Sequence, residues 1–185
     1  MKDVVFVTGN PEKAANFARH IGIDIAHQPA ELDEIQTLNA AELVGHKVRQ
    51  AYEQLGRPVL VEDVTFVFEA WGELPGPFVK FFVVADDGVE RMCRMLDGFD
   101  SRRAVAMCTF GYYDGHELRL FSGEIGGEIV DVPRGTGGYG FDKIFAPDGF
   151  DGKTAAELDE AGYDQYYTTI KPFTKVREFL LEKAD

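Results

Sequence analysis

The hexapeptide Thr8-Gly9-Asn10-Pro11-Glu12-Lys13 directly follows the apolar run Val4-Val5-Phe6-Val7, and its residue types suit the capture of an anion. Glycine lets the backbone turn, asparagine is a favoured helix N-cap, and proline is tolerated at the first helical position because the N–H it lacks would go unpaired there. A buried strand, a tight turn and a helix start are therefore expected. Lys13 falls in the first helical turn, where the partial positive charge of the helix end favours carboxylates instead. Two readings fit. One is a solvated lysine on an ordinary capped helix; the other is an ammonium that joins free backbone N–H groups around a docked phosphate.

Three carboxylates and two further lysines have matching chemistry. Glu34 lies in the acidic segment LDEIQ, and Glu62 with Asp63 follows Val59-Leu60-Val61, a short apolar strand whose C-terminal end is where α/β sheets bind ligands. Hard oxygen donors of this kind suit Mg²⁺, which takes one or two carboxylates and completes its shell with water and phosphate oxygens. Taken alone, the same pair reads as a solvated loop pair or a helix cap. Lys47 borders the apolar face of a helix rather than its centre, and Lys80 sits among Phe78, Val79, Phe81 and Phe82, either reaching a ligand or snorkelling over aromatic surface. Tyr139, Gly140, Phe141 and Asp142 combine flat apolar rings with one acceptor, which suits either a nucleobase or an ordinary strand entering the core.

The elements that must position these groups alternate in type. A helix is expected over Pro11 to Ile21, and a second is opened by Asn39 and Glu42 at capping-box spacing, with Val44, Val48, Ala51, Tyr52 and Leu55 along one face. Gly56-Arg57-Pro58 stops it. A Pro-Gly-Pro turn precedes Lys80, and a helix covers Val89 to Leu96. Three extended runs follow, Arg103 to Tyr112, Glu117 to Phe121 and Glu124 to Asp131, the first two joined by the hairpin signal Asp114-Gly115. A final helix spans Pro172 to Lys183, with Phe173, Val176, Phe179 and Leu180 inward. Strands and helices alternate early and hairpins dominate later, so the fold class is α/β with a mixed sheet.

With 185 residues and no internal repeat, one domain is expected. Apolar runs are too short for a membrane span and the N-terminus lacks a signal-peptide core, so a cytoplasmic protein with no membrane partner is expected. The net charge of −13 argues against nucleic acid as a partner and requires any anionic substrate to be held by local cations or a metal. Cys93 and Cys108 lie in apolar sequence without metal-ligand spacing and read as core residues; the four histidines are scattered.

Taken in order, TGNPEK, LDEIQ, VLVEDVTF, LPGPFVKFF, CTF, SGEIGGEI and PRGTGGYGFDKIF resemble the inosine triphosphate pyrophosphatase family from about Val4 to Glu157. The resemblance implies an elongated two-lobed α/β domain on a long curved mixed sheet, with flanking helices and a central cleft, assembled as a homodimer. It implies Mg²⁺-dependent conversion of a deaminated purine nucleoside triphosphate, such as inosine or xanthosine triphosphate, to the monophosphate and pyrophosphate. By residue, it implies Thr8, Gly9, Asn10 and Lys13 on the phosphates, with Lys47 and Lys80 reaching the substrate. Glu34 and Asp63 would hold the metal, Asp63 would accept the proton with Glu62 beside it, and Tyr139, Gly140, Phe141 and Asp142 would contact base and sugar. The alternatives are the same fold with another base specificity, or a catalytically weak nucleotide sensor.

The C-terminal segment departs from the pattern. Family members carry a Lys-Asn pair and then Ser-His-Arg, and here those positions fall near Tyr163 and near Tyr167, Thr168 and Thr169. Tyr163, Tyr166, Tyr167, Thr168 and Thr169 would offer rotatable hydroxyls to a base, or a displaced Lys171 or Lys175 would supply a cation. Pro172 should interrupt any helix running through this region.

Overall fold

Val5-Phe6-Val7 forms a fully buried strand, and the arrangement around it follows from the neighbours it takes on its two edges. The computed structural model describes residues 4–183. Its elements run β1 (Val5–Val7), α1 (Pro11–Ile21), β2 (Ala26–Gln28), α2 (Ala40–Leu55), β3 (Val59–Phe68), β4 (Pro75–Gly76), α3 (Val79–Val83) and α4 (Gly88–Arg94). They continue with β5 (Arg103–Tyr113), β6 (Leu118–Ile129), β7 (Phe145–Pro147), α5 (Glu160–Ile170) and α6 (Phe173–Glu182). The sheet order is β2-β1-β3-β5-β6-β7, with β4 pairing β3. It is mixed, as expected: β1 is parallel to both β2 and β3, while β3 with β4 and β6 with β7 are antiparallel.

From β1 the chain crosses through α1 to β2 on one edge, and then through α2 to β3 on the other. Crossovers of one hand in opposite directions place their helices on opposite faces. Packing bears this out. Phe6 stacks on Phe17 of α1 at 4.1 Å, and Phe17 and Phe110 both meet Phe173 of α6. Val5, Val7, Val59 and Val61 pack instead with Val44, Val48 and Ala51 of α2. The winding therefore reverses between β1 and β3, the place where open α/β sheets bind ligands.

The chain divides into two compact units. One holds the chain up to Asp63, Cys108–Gly123 and the chain from Lys171; the other holds Val64–Met107 and Glu124–Ile170. In the second unit Phe66 stacks on Phe141 at 4.0 Å and meets Phe68 and Phe145 edge-on. There Arg102 donates to the carbonyls of Cys93, Ile129 and Val130, tying α4 to the end of β6. Cys93 and Cys108 are free and buried, and burial pushes both thiols up. No helix among the described residues is long and apolar enough to cross a membrane.

Three expectations need correction. The strand at Val59-Leu60-Val61 does not end before the acidic pair: β3 runs for 10 residues straight through Glu62 and Asp63, because its partners change along its length. The second and third extended runs are one 12-residue strand, β6, which Ser122 and Gly123 do not interrupt. Asn39 caps α2 through the N–H groups of Ala41 and Glu42, but Glu42 does not close a capping box. Its carboxylate accepts from Thr37 Oγ1 instead, and Thr37 Oγ1 takes the Asn39 N–H at 3.1 Å.

The Asn39 cap serves two orphan amides on an exposed helix start, so Asn39→Ala should lower stability by about 1 kcal/mol. For a chain of this size the melting temperature should fall by roughly 2–4 °C. Urea unfolding should show a lower midpoint with an unchanged slope. An unchanged midpoint would show that Thr37 and solvent satisfy the helix end without Asn39.

Candidate active site

At the reversal of winding, the turn after β1 and the start of α1 take the expected form. The Asn10 side chain accepts from the N–H groups of Glu12 and Lys13, Pro11 occupies the first turn, and Thr8 Oγ1 receives the Asn10 N–H at 3.2 Å. His27 on β2 bonds through Nε2 to the Thr8 carbonyl at 2.9 Å, fastening the turn to the sheet. Gly9 leaves open space beside the turn, where an added Cβ would meet nothing within 4 Å.

Strand alternation then sorts the acidic pair. Glu62 shares the parity of Leu60 and points to the α1 and α6 face, while Asp63 shares that of Val59 and Val61 and points to the α2 face. On the first face Glu62 Oε1 lies 3.2 Å from Lys13 Nζ and 2.8 Å from Lys171 Nζ. The side chains of Glu62 and Lys171 are 1% and 3% exposed, whereas that of Lys13 is 23% exposed. On the second face Lys47 Nζ donates to Asp63 Oδ2 at 2.6 Å and to Glu34 Oε1 at 3.0 Å. The two adjacent carboxylates thus belong to separate clusters, and Glu62 is not beside Asp63 in the sense of sharing its partners.

Burial alone would push the Glu62 carboxyl up, but the ammonium groups of Lys171 and Lys13 reverse this and hold it down at about 2. For Lys47, burial works against the charged form, and the carboxylates of Asp63 and Glu34 outweigh it, so its ammonium is stabilised. Glu34 and Asp63 are the oxygen donors that converge here. No group of three or more His, Cys, Asp or Glu able to hold a metal is present among the described residues. The set fits Mg²⁺, which asks for one or two carboxylates and takes its remaining ligands from water and phosphate.

The remaining candidates lie in the second unit. Lys80 stands exposed on α3. Tyr139 is half-exposed, and its N–H donates to Asp142 Oδ2 at 2.9 Å. Gly140 adopts φ 62°, a conformation that favours glycine, and Phe141 stacks one face on Phe66. Asp142 is buried and accepts from the hydroxyls of Tyr163 at 2.8 Å and Tyr166 at 3.2 Å. Burial, reinforced by Asp142, pushes both phenols up, so they act as fixed donors.

Several expectations for the C-terminal segment change accordingly. Its residues form α5, which ends at Ile170 just before the break at Pro172. Tyr163 and Tyr166 direct the protons of their hydroxyls at Asp142. Thr168 and Thr169 bond back to carbonyls of their own helix, Asp164 and Gln165. Lys171, a candidate displaced cation, bonds to Glu62, and Lys175 is exposed on α6. Sequence reasoning therefore missed Lys171 as a partner of Glu62, and Tyr163 with Tyr166 as partners of Asp142. The available signal was a lysine set between Ile170 and Pro172-Phe173, an apolar context much like that of Lys80.

A sheet that reverses its winding beside a capped helix start, with lysines and carboxylates meeting at the reversal, has the architecture in which α/β proteins hold anionic ligands. The chain belongs to the Ham1 family, whose model matches residues 4–179. It is 37% identical over 198 residues to an inosine triphosphate pyrophosphatase of Scheffersomyces stipitis, covering 99% of this chain and 100% of that one. It is 38% identical to the protein of the same name from Emericella nidulans, covering 99% of each. Among solved structures it resembles a Ham1 protein of Coxiella burnetii with a TM-score of 0.84 at 24% identity, over 98% of this chain and 100% of that one. The Staphylococcus aureus Ham1 protein gives 0.83 at 22% identity, over 97% and 99%.

The Glu62 cluster also sets an acid limit. A carboxyl held at about 2 instead of the ordinary 4.5 contributes stability that is fully present above pH 4.5 and is lost as the pH falls through about 2. The amount is on the order of 3 kcal/mol. Urea unfolding between pH 7 and pH 2.5 should show wild type losing stability relative to a Glu62→Gln/Lys171→Met double variant, which lacks the titrating group. Parallel curves for the two proteins would contradict this.

Proposed function

We propose that the chain hydrolyses deaminated purine nucleoside triphosphates to the monophosphate and pyrophosphate, with Mg²⁺ as cofactor. The observation that carries this reading is Lys47 held between Asp63 and Glu34, at the point where the sheet reverses its winding beside a phosphate-ready helix start. It is supported by the printed names of relatives that align with nearly the whole chain.

In this mechanism the turn Thr8-Gly9-Asn10 and the free N–H groups of α1 cradle phosphate oxygens, and Lys13 adds its charge. Asp63, oriented by the hydrogen bond from Lys47, accepts a proton from the attacking water. The new bond forms at the α-phosphorus, and the bond to the bridging oxygen breaks, releasing pyrophosphate whose charge Lys47 helps to offset. Glu34 and Asp63 would hold Mg²⁺, which supplies charge neutralisation on the phosphate oxygens when bound. Glu62 takes no proton in this scheme and acts by anchoring Lys13. Tyr139, Gly140, Phe141 and Asp142 are proposed to contribute base and sugar contacts, and Lys80 to reach the substrate from α3.

A second reading concerns the base. Asp142 already accepts from Tyr163, near the position where relatives are expected to carry a lysine, and from Tyr166, which precedes Tyr167, Thr168 and Thr169, where they are expected to carry Ser-His-Arg. Fixed phenols around one carboxylate favour a base preference different from that of relatives, or a narrower margin between inosine and adenosine triphosphates.

A panel of inosine, xanthosine, adenosine and guanosine triphosphates, assayed with Mg²⁺ and with a chelator, tests the reaction. Pyrophosphate and the monophosphate are expected, with activity abolished by the chelator. Release of single orthophosphates, or full activity without metal, would overturn the reading. Asp63→Asn should lower kcat by on the order of a hundredfold or more while the protein stays folded. Near-normal turnover in a folded variant would move the proton acceptor elsewhere.

A further inference from the structure

The mechanism above gives Lys13 a task and gives Lys171 none. Yet Lys171 is among the most buried charged groups described, and burying an ammonium is costly unless it is paired and hydrogen-bonded. Glu62 does not require it, since Lys13 already lies 3.2 Å from the same oxygen, Oε1. Two ammonium groups therefore compete for one carboxylate oxygen, and the nearer, at 2.8 Å, is the sealed one.

The local fold holds this arrangement. Pro172 breaks the chain between α5 and α6, and the Phe173 N–H bonds to the Lys171 carbonyl at 2.8 Å. Phe173 packs against Phe17 and stacks on His20, both on α1, the helix that carries Lys13. Lys171 and Lys13 are thus delivered to Glu62 by two elements packed on each other.

We propose that Lys171 is a positioning residue for phosphate binding: by engaging the charge of Glu62 from inside the protein, it leaves the partly exposed Lys13 held in place with its positive charge available to the substrate. Without Lys171, the carboxylate would neutralise Lys13 one to one at the site where the phosphates bind. The inference rests on the phosphate site proposed above. It goes further in assigning a role to a residue that does not touch the substrate.

The charge acts on a triphosphate alike in the ground and transition states, so its loss should appear in KM rather than kcat. In Lys171→Met, KM for inosine triphosphate should rise about tenfold with kcat within about twofold. The dependence of KM on ionic strength should also flatten, because one attracting charge is gone. Lys171→Arg should keep KM within about threefold of wild type, since it preserves the charge and the hydrogen bond. The Glu62→Gln/Lys171→Met double variant restores the local charge and leaves an amide oxygen to accept from Lys13, so it should recover most of the lost affinity, which a purely structural role would not do.

A folded Lys171→Met protein with unchanged KM, or a double variant as impaired as the single, would overturn the inference. If Lys171→Met does not fold, the double variant decides: recovery toward wild-type KM supports the inference, and a KM raised about tenfold overturns it. A wild-type protein that releases no pyrophosphate from inosine triphosphate would instead overturn the parent reading and this inference with it.

Discussion

The site depends on the backbone of β3 carrying two adjacent carboxylates through the point where the sheet changes its winding. Strand alternation sends Glu62 to the α1 and α6 face and Asp63 to the α2 face, so neighbours in sequence enter different electrostatic surroundings. Glu62 meets two lysines and is sealed from solvent; Asp63 meets one lysine, which it shares with a second carboxylate, Glu34. One cluster is richer in cations, the other in anions. These two compositions support the proposal of a phosphate chain beside the first and a divalent metal at the second.

The same arrangement explains how the fold tolerates so much buried charge. Each ammonium in the core meets a carboxylate within hydrogen-bond distance, which offsets the desolvation that would otherwise exclude it. The aromatic packing of Phe6, Phe17, Phe110 and Phe173 fixes α1 and α6 on one face, and the valines of β1, β3 and α2 fix the other. Packing on both faces thus holds the charged groups in place, and preorganised charge of this kind is what stabilises developing charge in phosphoryl transfer.

Much of this was legible in the sequence where the determining physics is local. The strand, turn and capped helix from Val5 to Ile21 follow from Gly9, Asn10 and Pro11, and the position of Lys47 beside its apolar stripe follows from helical periodicity. The Asp114-Gly115 hairpin was equally plain, with Asp114 accepting the N–H groups of His116 and Glu117. The course of β3 was not legible, because two consecutive acids read as the end of a strand. What permits Glu62 is a lysine 109 residues away in sequence, and what permits Asp63 is Lys47 on α2. The pairing of Asp142 with Tyr163 is hidden for the same reason: a hydroxyl 21 residues downstream is one of many candidate donors until the fold selects it.

The central proposal is that Mg²⁺ depends on the Asp63 cluster on one side of β3, while the phosphates are also held by the turn and Lys13 on the other. It is tested most directly by equilibrium binding of a non-hydrolysable α,β-imido analogue of inosine triphosphate, with and without Mg²⁺, to wild type and to Asp63→Asn. The account predicts that Mg²⁺ strengthens binding to wild type and not to the variant, while metal-free binding survives in both because the Lys13 side is untouched. An equal response to Mg²⁺ in the two proteins, or loss of metal-free binding in Asp63→Asn, would contradict it.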